Sequence, residues 1–406
     1  MKNKKNIKML NDFILNILAS VILTFANQIL AYPYISRMVS IDEYGLILTT
    51  MGIINVIGVS LGNPLNNTRI LLQPQYQRKN ISGDYNLIFL VALAINFVLV
   101  FTIISIYYKA VNFTALGATI TSSLVLFRSY FSADYRIKID YKRNLYASLF
   151  GLLGYIIGIL ITIMSDIWIN TFIFGELFAC IYIFFTAEIV RDKFVITALF
   201  RKSLYKYTYI LIAAVLSSLM VYMDRFFIYP VLGPEYVSIY NVASFLGKTV
   251  GVVMGPIAGV LLTYYVKETD LSTETFCKRT IMFTCFSILC YLLILLMGPY
   301  ASKILYPTIA ESSMPYFAIA NLGVIVFILG NLIQPTLLRY SNERWQPVIQ
   351  GVYFILYIIL GYGGMALYGL IGYCYAILIV NVIRVILMVH ITISNLNHFV
   401  WEDEER

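Results

Sequence analysis

Charged side chains interrupt several segments of this chain that otherwise consist of Ile, Leu, Val and Phe. Lys248 and Arg384 are cations in such segments. A Lys or Arg at the centre of a bilayer costs ~2.5–3.5 kcal/mol even on the lenient insertion scale, so each indicates a partner or a function. Lys248 could bind an anionic substrate, which we favour, or pair with a buried carboxylate. Arg384 is predicted to snorkel or to form an ion pair.

Glu176 is the one carboxylate well inside an apolar segment, and it allows two interpretations. Burial favours the neutral form of a carboxyl group, which suits a side chain that carries a coupling proton. Glu176 is therefore the candidate ion-coupling residue. The alternative is a structural partner for Arg384 or Lys248.

Arg37, Asp224 and Arg225 lie near the ends of apolar segments. There, snorkelling or a local ion pair competes with a role in substrate binding. The chemistry indicated by these charges is the binding of an anion, because cations in a low-dielectric cavity are what a phosphate group needs.

The segments that position these residues are membrane spans. The chain has 406 residues, of which 60% are hydrophobic and 12% charged, and its mean hydropathy is +0.80. Soluble domains carry roughly a quarter charged residues, and a spanning helix needs ~20 apolar ones. Backbone groups in lipid must be satisfied internally, so the spans are helices. We predict an all-α polytopic membrane protein with twelve spans, at 11–36, 42–67, 85–108, 112–133, 145–165, 168–190, 207–231, 236–265, 277–298, 314–338, 346–365 and 368–393.

The distribution of basic residues predicts the orientation. Of 29 Lys and Arg residues, 23 fall at the two termini and on even-numbered connections, 4 on odd-numbered connections and 2 within spans. In this count Arg128 belongs to the fourth connection. The positive-inside rule therefore places both termini in the cytoplasm. The net charge of +8 then reflects membrane sidedness and contact with anionic lipid, and nucleic acid is not expected as a partner.

The sequence lacks the residues that common membrane enzymes use. Its only histidines are His390 and His398, so metal and general-base constellations are not expected. The five cysteines show no CxxC spacing and are predicted to pack. We therefore predict a protein that is not an enzyme and needs no cofactor.

The two halves of the chain repeat at an offset of 192 residues, by which Glu43-Tyr44 aligns with Glu235-Tyr236. The repeat predicts two six-helix bundles, 1–197 and 198–406, that divide in the basic stretch 191–206. An even number of spans between the copies makes them parallel, which is one layout of transporters that work by alternating access.

A small or polar stripe also repeats. Thr49, Gly52, Val59 and Asn63 in span two align with Asn241, Ser244, Gly251 and Gly255 in span eight, and Lys248 belongs to the second stripe. Such a stripe serves either close helix packing or a water-filled cavity, and Lys248 favours the cavity. The predicted substrate-binding residues are Arg37, Asn55, Asp224, Arg225, Asn241, Ser244 and Lys248.

Two motifs carry a resemblance to a known family. Arg37–Gly45 reads Arg-Met-Val-Ser-Ile-Asp-Glu-Tyr-Gly and follows the first span; Asp224–Tyr240 follows the seventh. Both resemble the motifs of polysaccharide flippases, called Wzx-type, in the MOP exporter superfamily. Span number, termini and length agree over the whole chain. Val237 departs from the pattern, because the family usually has a small residue there.

The resemblance implies a MOP/MATE-like fold and a function in O-antigen or capsule biosynthesis. Such flippases export undecaprenyl-diphosphate-linked oligosaccharides across the bacterial inner membrane. The lipid-linked oligosaccharide, membrane lipids and polysaccharide polymerase machinery are the partners it implies. The diphosphate would pass through a cationic cavity between the halves while the polyprenyl tail stays in lipid. A multidrug or cation antiporter and a lipid II flippase of the same superfamily are the alternatives.

Overall fold

The structure is a computed structural model that describes residues 2–79, 81–110, 113–267, 271–342 and 344–404. Every regular element in these ranges is helical. A π-helical turn, Ala26–Ala31, joins the first two α-helices, and a 3₁₀ turn, Glu188–Arg191, follows the eighth. The α-helices are α1 Lys2–Phe25, α2 Tyr32–Ser36, α3 Ile41–Lys79, α4 Asp84–Tyr107, α5 Phe113–Phe131, α6 Ala133–Ile137, α7 Tyr141–Ser165, α8 Ile169–Thr186, α9 Phe200–Val221, α10 Met223–Leu232, α11 Pro234–Lys267, α12 Thr273–Leu305, α13 Ala310–Tyr340 and α14 Trp345–Glu404.

The predicted fold class is confirmed. Within the described ranges, 10 helices are long and apolar enough to cross a membrane. That number counts α14 once and omits α5. Each of the twelve predicted spans overlaps helical structure: the first and the seventh cover two successive helices each, and the last two fall on the two halves of α14.

The two halves of α14 meet at a sharp reversal. Tyr368 and Gly369 leave the helical conformation, and Gly369 has φ +59°, a left-handed value that favours glycine. On either side of the break, Gly364 and Gly372 approach so closely that a Cβ on either would overlap the other's backbone. Glycine at both positions lets the last two spans pack backbone to backbone.

Helix α3 is longer than the sequence predicted. It was expected to end at residue 67, but it continues to Lys79. Pro64 and Pro74 both lie inside this helix. Leu65, Leu72 and Tyr76 are buried in one hydrophobic core with α4, α5 and α9, and this packing offsets the backbone hydrogen bonds that the prolines cannot make.

The chain forms two compact units. Unit 1 comprises Met1–Ile35 and Leu46–Phe226, and unit 2 comprises Ser36–Gly45 and Phe227–Arg406. Helix α9 belongs to unit 1, in which the Tyr207 hydroxyl donates to the Leu61 carbonyl at 3.1 Å. These bounds follow from contacts between residues, whereas the predicted bundles 1–197 and 198–406 follow from the sequence repeat. The division into two six-helix bundles therefore stays a prediction.

The connection from α8 to α9 is fastened to unit 1 by buried polar side chains. Arg69 forms an ion pair with Asp192. Asn86 donates to the Asp192 carbonyl at 2.9 Å, and the Thr197 N–H donates to Asp84 at 2.6 Å. The basic stretch that links the two sequence repeats is thus held in a defined path.

Candidate functional site

A row of tyrosines with a cation at each end lies in unit 2. Lys248 on α11 places its Nζ 5.2 Å from the centre of the Tyr240 ring. Tyr240 packs edge-on against Tyr373 at 5.2 Å, and the hydroxyls of Tyr373 and Tyr357 share a hydrogen bond. Tyr357 in turn contacts Tyr353 at 5.9 Å. We call Tyr240, Tyr373, Tyr357 and Tyr353 the tyrosine row; all four are buried.

Arg384 stands at the other end of the row and is 3% exposed. Its guanidinium carbon lies 5.4 Å from the Tyr353 ring centre and 4.8 Å from that of Phe327. Its Nη2 donates to Asn331 at 2.9 Å and to Gln334 at 3.3 Å. Among the described residues, no carboxylate pairs with Arg384, and its Nε and Nη1 lack hydrogen-bond partners.

The predictions for Arg384, snorkelling or an ion pair, were therefore wrong. Amide oxygens and aromatic rings surround the guanidinium instead. Rings and amides stabilise a cation without cancelling its charge, so Arg384 keeps a full positive charge in a place where water is scarce. A buried charge of this kind is a candidate binding group for an anion.

Two predicted residues neighbour Lys248 on α11. Ser244 is fully buried and donates to the Tyr240 carbonyl of its own helix at 2.8 Å. Asn241 is 3% exposed, and within the described chain its Nδ2 has no hydrogen-bond partner. Buried amide donors are normally satisfied, so an unused one on the same helix face as Lys248, two turns away, is consistent with a polar ligand site.

Helix α11 is held at Lys248 by an unusual contact. The Asn321 amide donates to the Ala243 carbonyl at 2.6 Å, while the Gly247 N–H donates to Asn321 Oδ1 at 2.9 Å. Asn321 on α13 thus bridges main-chain groups of α11 one turn apart. This bridge fixes α11 on the turn that carries Lys248.

Glu176 pairs with an arginine that the sequence analysis did not consider. Arg128 Nε lies 2.6 Å from one carboxylate oxygen, and its Nη2 donates to the other at 3.2 Å. The Tyr155 hydroxyl adds a third contact, at 3.4 Å. The alternative prediction, that Glu176 pairs with Arg384 or Lys248, was therefore wrong, because its partner is Arg128. The ion-coupling role of Glu176 stays a prediction.

Arg128 was overlooked because it was counted with a cytoplasmic connection. It lies on α5, within the span predicted at 112–133. The side chains of Arg128 and Glu176 are 27% and 6% exposed, respectively. An arginine in the last turn of an apolar helix was a usable signal, but its distance of 48 residues from Glu176 gave no indication of the pair.

Arg37 caps a helix. Its Nη2 donates to the Ile304 carbonyl at 2.5 Å, in the last turn of α12, where backbone carbonyls lack helical partners. Arg37 is otherwise exposed. The observed contact is structural, and substrate binding by Arg37 stays a prediction.

Asp224 and Arg225 are buried at the start of α10, at 7% and 5% exposure. Arg225 Nη1 donates to the Leu48 carbonyl of α3 at 2.7 Å, and its guanidinium lies 5.1 Å from the Tyr222 ring centre. Asn55 donates to a carbonyl one turn earlier in its own helix, at 2.7 Å. These three residues, like Glu176, belong to unit 1; Arg37, Asn241, Ser244 and Lys248 belong to unit 2.

The motif at Arg37–Gly45 contains a close backbone contact. A Cβ added at Gly45 would overlap the Pro234 carbonyl oxygen, and Ser238 donates to the Ile41 carbonyl at 2.5 Å. The two repeated motifs therefore pack on each other within unit 2. Gly45 is required by this contact, which explains the glycine without any role in binding.

No protein-family profile matches this sequence, and no curated protein shows significant sequence similarity to it. Solved structures do resemble it. The lipid II flippase MurJ in an inward closed conformation superposes with a TM-score of 0.64 and 15% identity, covering 94% of this chain and 86% of MurJ. An outward-facing multidrug resistance MATE family transporter of the MOP superfamily gives a TM-score of 0.65 and 15% identity, covering 95% and 96%.

A third similar structure is the Vibrio cholerae MATE transporter VcmN in its bent form, with a TM-score of 0.59, 11% identity and coverage of 96% and 97%. The likeness extends over nearly the whole chain in all three cases. At these identities it establishes the fold: the chain is a multi-pass helical protein with the architecture of MATE transporters and MurJ.

Proposed function

We propose that this protein is a flippase, not an enzyme, that moves undecaprenyl-diphosphate-linked oligosaccharide repeat units across the bacterial inner membrane by alternating access. The O-antigen or capsule role comes from the resemblance of its two motifs to Wzx-type flippases. The observation that carries the proposal is Arg384, a buried cation that the described residues leave without a carboxylate. A translocated diphosphate supplies the charge that this site lacks.

The chemistry of unit 2 suits a diphosphate. Two nitrogens of Arg384, Nε and Nη1, have no hydrogen-bond partner, and charge-assisted hydrogen bonds to phosphate oxygens are among the strongest that a side chain makes. Lys248 provides a second cation at the opposite end of the tyrosine row. The rings hold both cations in place, so binding needs little reordering of flexible side chains.

The membrane potential is a sufficient driving force. Moving one elementary charge across 100 mV is worth ~2.3 kcal/mol, so outward movement of a doubly charged diphosphate from a negative interior is downhill by ~5 kcal/mol. We propose separately that Glu176 carries a coupling proton. The flipping rates of wild type and Glu176→Gln under a pH gradient, with no membrane potential, test this role.

The test is flipping of a fluorescent undecaprenyl-diphosphate oligosaccharide in proteoliposomes under an imposed potential. We expect the rate to rise with an outward driving potential, and Lys248→Ala to slow it about tenfold, the loss of roughly one charge-assisted hydrogen bond. Lys303→Ala is the matched control, because Lys303 is an exposed lysine of unit 2 outside the tyrosine row. A rate indifferent to potential and ion gradients would reject the coupling, and full-rate flipping by Lys248→Ala would remove Lys248 from the site.

The similarity to MATE transporters favours export of organic cations as a second candidate function. Such a substrate calls for carboxylates in the binding site, whereas Glu176 is engaged by Arg128 and the tyrosine row ends in cations. Competition in the same assay separates the candidates: inhibition by lipid II indicates a shared diphosphate site, while inhibition by a lipophilic cation alone would favour the antiporter.

A further inference from the structure

We propose that unit 1 carries a binding site for one ethanolamine phospholipid, built from an apolar groove and an adjoining two-sign polar pocket. The site belongs to unit 1, whereas the tyrosine row belongs to unit 2, and the proposal does not depend on the transported substrate. Two features support it: the shape of the groove, and the charges at its end.

The groove lies on the surface of α4, α5 and α8 and has a volume of about 560 Å³, within the usual range of ligand pockets. Its walls are almost wholly apolar and include Phe97, Ile120, Leu177 and Phe185. From Leu177 to Phe185 it follows α8 for about 12 Å, at 1.5 Å per residue. An elongated apolar groove on spanning helices fits an acyl chain.

A polar pocket of about 340 Å³ adjoins the groove, and Phe185 lines both. It lies where α8 ends, and its polar walls are Arg143, Thr186, Glu188 and Arg191. The groove therefore leads from apolar spans to a charged pocket at the membrane surface. That surface is the one predicted to be cytoplasmic.

The charges of the pocket are only partly balanced within the described chain. Arg143 pairs with Asp140 at 3.2 Å, and the exposed Arg191 makes no ion pair there. The neighbouring cluster, in contrast, has more negative than positive charges. Lys138 is shared by Asp134 at 3.0 Å and Glu188 at 2.7 Å, which leaves one negative charge in excess.

Arg143 and Arg191 also act electrostatically on Glu188, so the pocket presents cations beside a carboxylate, and this two-sign arrangement complements a zwitterion. A phosphodiester fits between Arg143 and Arg191, and an ammonium group fits at Glu188, which is 74% exposed and can accept further hydrogen bonds. A glycerol headgroup supplies the phosphate but leaves the excess carboxylate unmatched. This charge pattern selects phosphatidylethanolamine over phosphatidylglycerol.

Native mass spectrometry of the purified full-length protein tests the proposal, with phosphatidylethanolamine and phosphatidylglycerol of matched acyl chains present in equal amounts. We expect wild-type protein to retain the ethanolamine lipid preferentially. Arg191→Ala should weaken this binding about fivefold, whereas Arg201→Ala, which removes an exposed arginine outside the pocket, should not. Glu188→Gln should keep the phosphate contact and reduce the preference for ethanolamine.

The groove is tested separately by filling it. Ile181→Trp, on the groove wall, should reduce retention of both lipids, and Ile163→Trp, on an exposed face of α7 outside the groove, should leave it unchanged. Equal retention of the two lipids by wild type, or preference for phosphatidylglycerol, would overturn the headgroup assignment. Equal losses of lipid retention in Arg191→Ala and Arg201→Ala, or in Ile181→Trp and Ile163→Trp, would contradict the location of the site.

Discussion

Unit 1 and unit 2 each contain an arginine within an apolar helix, half-buried in unit 1 and buried in unit 2, and they treat its charge in opposite ways. In unit 1, Arg128 is neutralised by Glu176 through two hydrogen bonds. In unit 2, Arg384 is held by Asn331, Gln334 and two aromatic rings. The first arrangement satisfies the charge within the protein, and the second retains it.

We propose that the difference separates a charge that is satisfied within the protein from one that serves the substrate. A closed ion pair in a low-dielectric place has no charge left to offer, and removing one partner leaves the other exposed to the full cost of burial. An arginine surrounded by neutral groups carries that cost permanently. Proteins keep such unfavourable features chiefly at functional sites, where stability is traded for activity.

The largest expected effect concerns the closed pair. Arg128→Met leaves Glu176 buried without its partner and should lower the free energy of unfolding by ~3 kcal/mol. The double variant Arg128→Met/Glu176→Met removes both charges and should recover most of that loss. Unfolding by SDS titration measures both; equal losses in the single and double variants would show that the pair does not act as a unit.

A carboxylate placed beside Arg384 would give it an ion-pair partner, as Glu176 is for Arg128. Asn331→Asp is nearly isosteric, and its parent oxygen already lies 2.9 Å from Nη2. We expect a gain of ~1 kcal/mol in unfolding free energy, because hydrogen bonds between charged groups are stronger than neutral ones, together with slower flipping. Asn331→Ser is the control, and a variant that flips at the wild-type rate would contradict the assignment of Arg384.

Removing the charge of Arg384 should affect stability less. Arg384→Met loses the amide and ring contacts but also ends the cost of an unbalanced buried charge, so the free energy of unfolding should stay within ~1 kcal/mol of wild type. SDS titration beside Arg128→Met gives the comparison. A loss as large as that of Arg128→Met would mean that Arg384 is a structural charge as well.

The smallest effect is expected at the surface pair in unit 1. The hydrogen bond from Lys138 and its positive charge lower the pKa of Glu188 from its ordinary value. A carboxylate with a lowered pKa stabilises the fold above the unfolded pKa, and that contribution disappears as the pH falls through the lowered value. Wild type and Glu188→Gln should therefore converge in stability as the pH falls below the ordinary Glu pKa of about 4.3 and through the lowered pKa of Glu188, and a constant difference at all pH values would contradict the pair.

The membrane spans were predictable, because hydropathy is a local property of some twenty residues. The contacts that define the site were not. The Arg128–Glu176 pair joins positions 48 apart, and the tyrosine row joins α11 to α14 through side chains that share no sequence pattern. Lys248 was found from its own segment alone, whereas the amide and ring environment of Arg384 could be seen only in the fold.

The flipping rate of Arg384→Met, compared with that of Arg128→Met/Glu176→Met, tests the central claim most directly. Both variants lose an arginine of an apolar helix. Proteoliposomes under an imposed potential without an ion gradient leave any coupling proton out of the comparison. The account predicts that Arg384→Met slows flipping about tenfold or more, the worth of one charge-assisted hydrogen bond, while the double variant stays near the wild-type rate. Full-rate flipping by Arg384→Met, or an equal loss in the double variant, would contradict it.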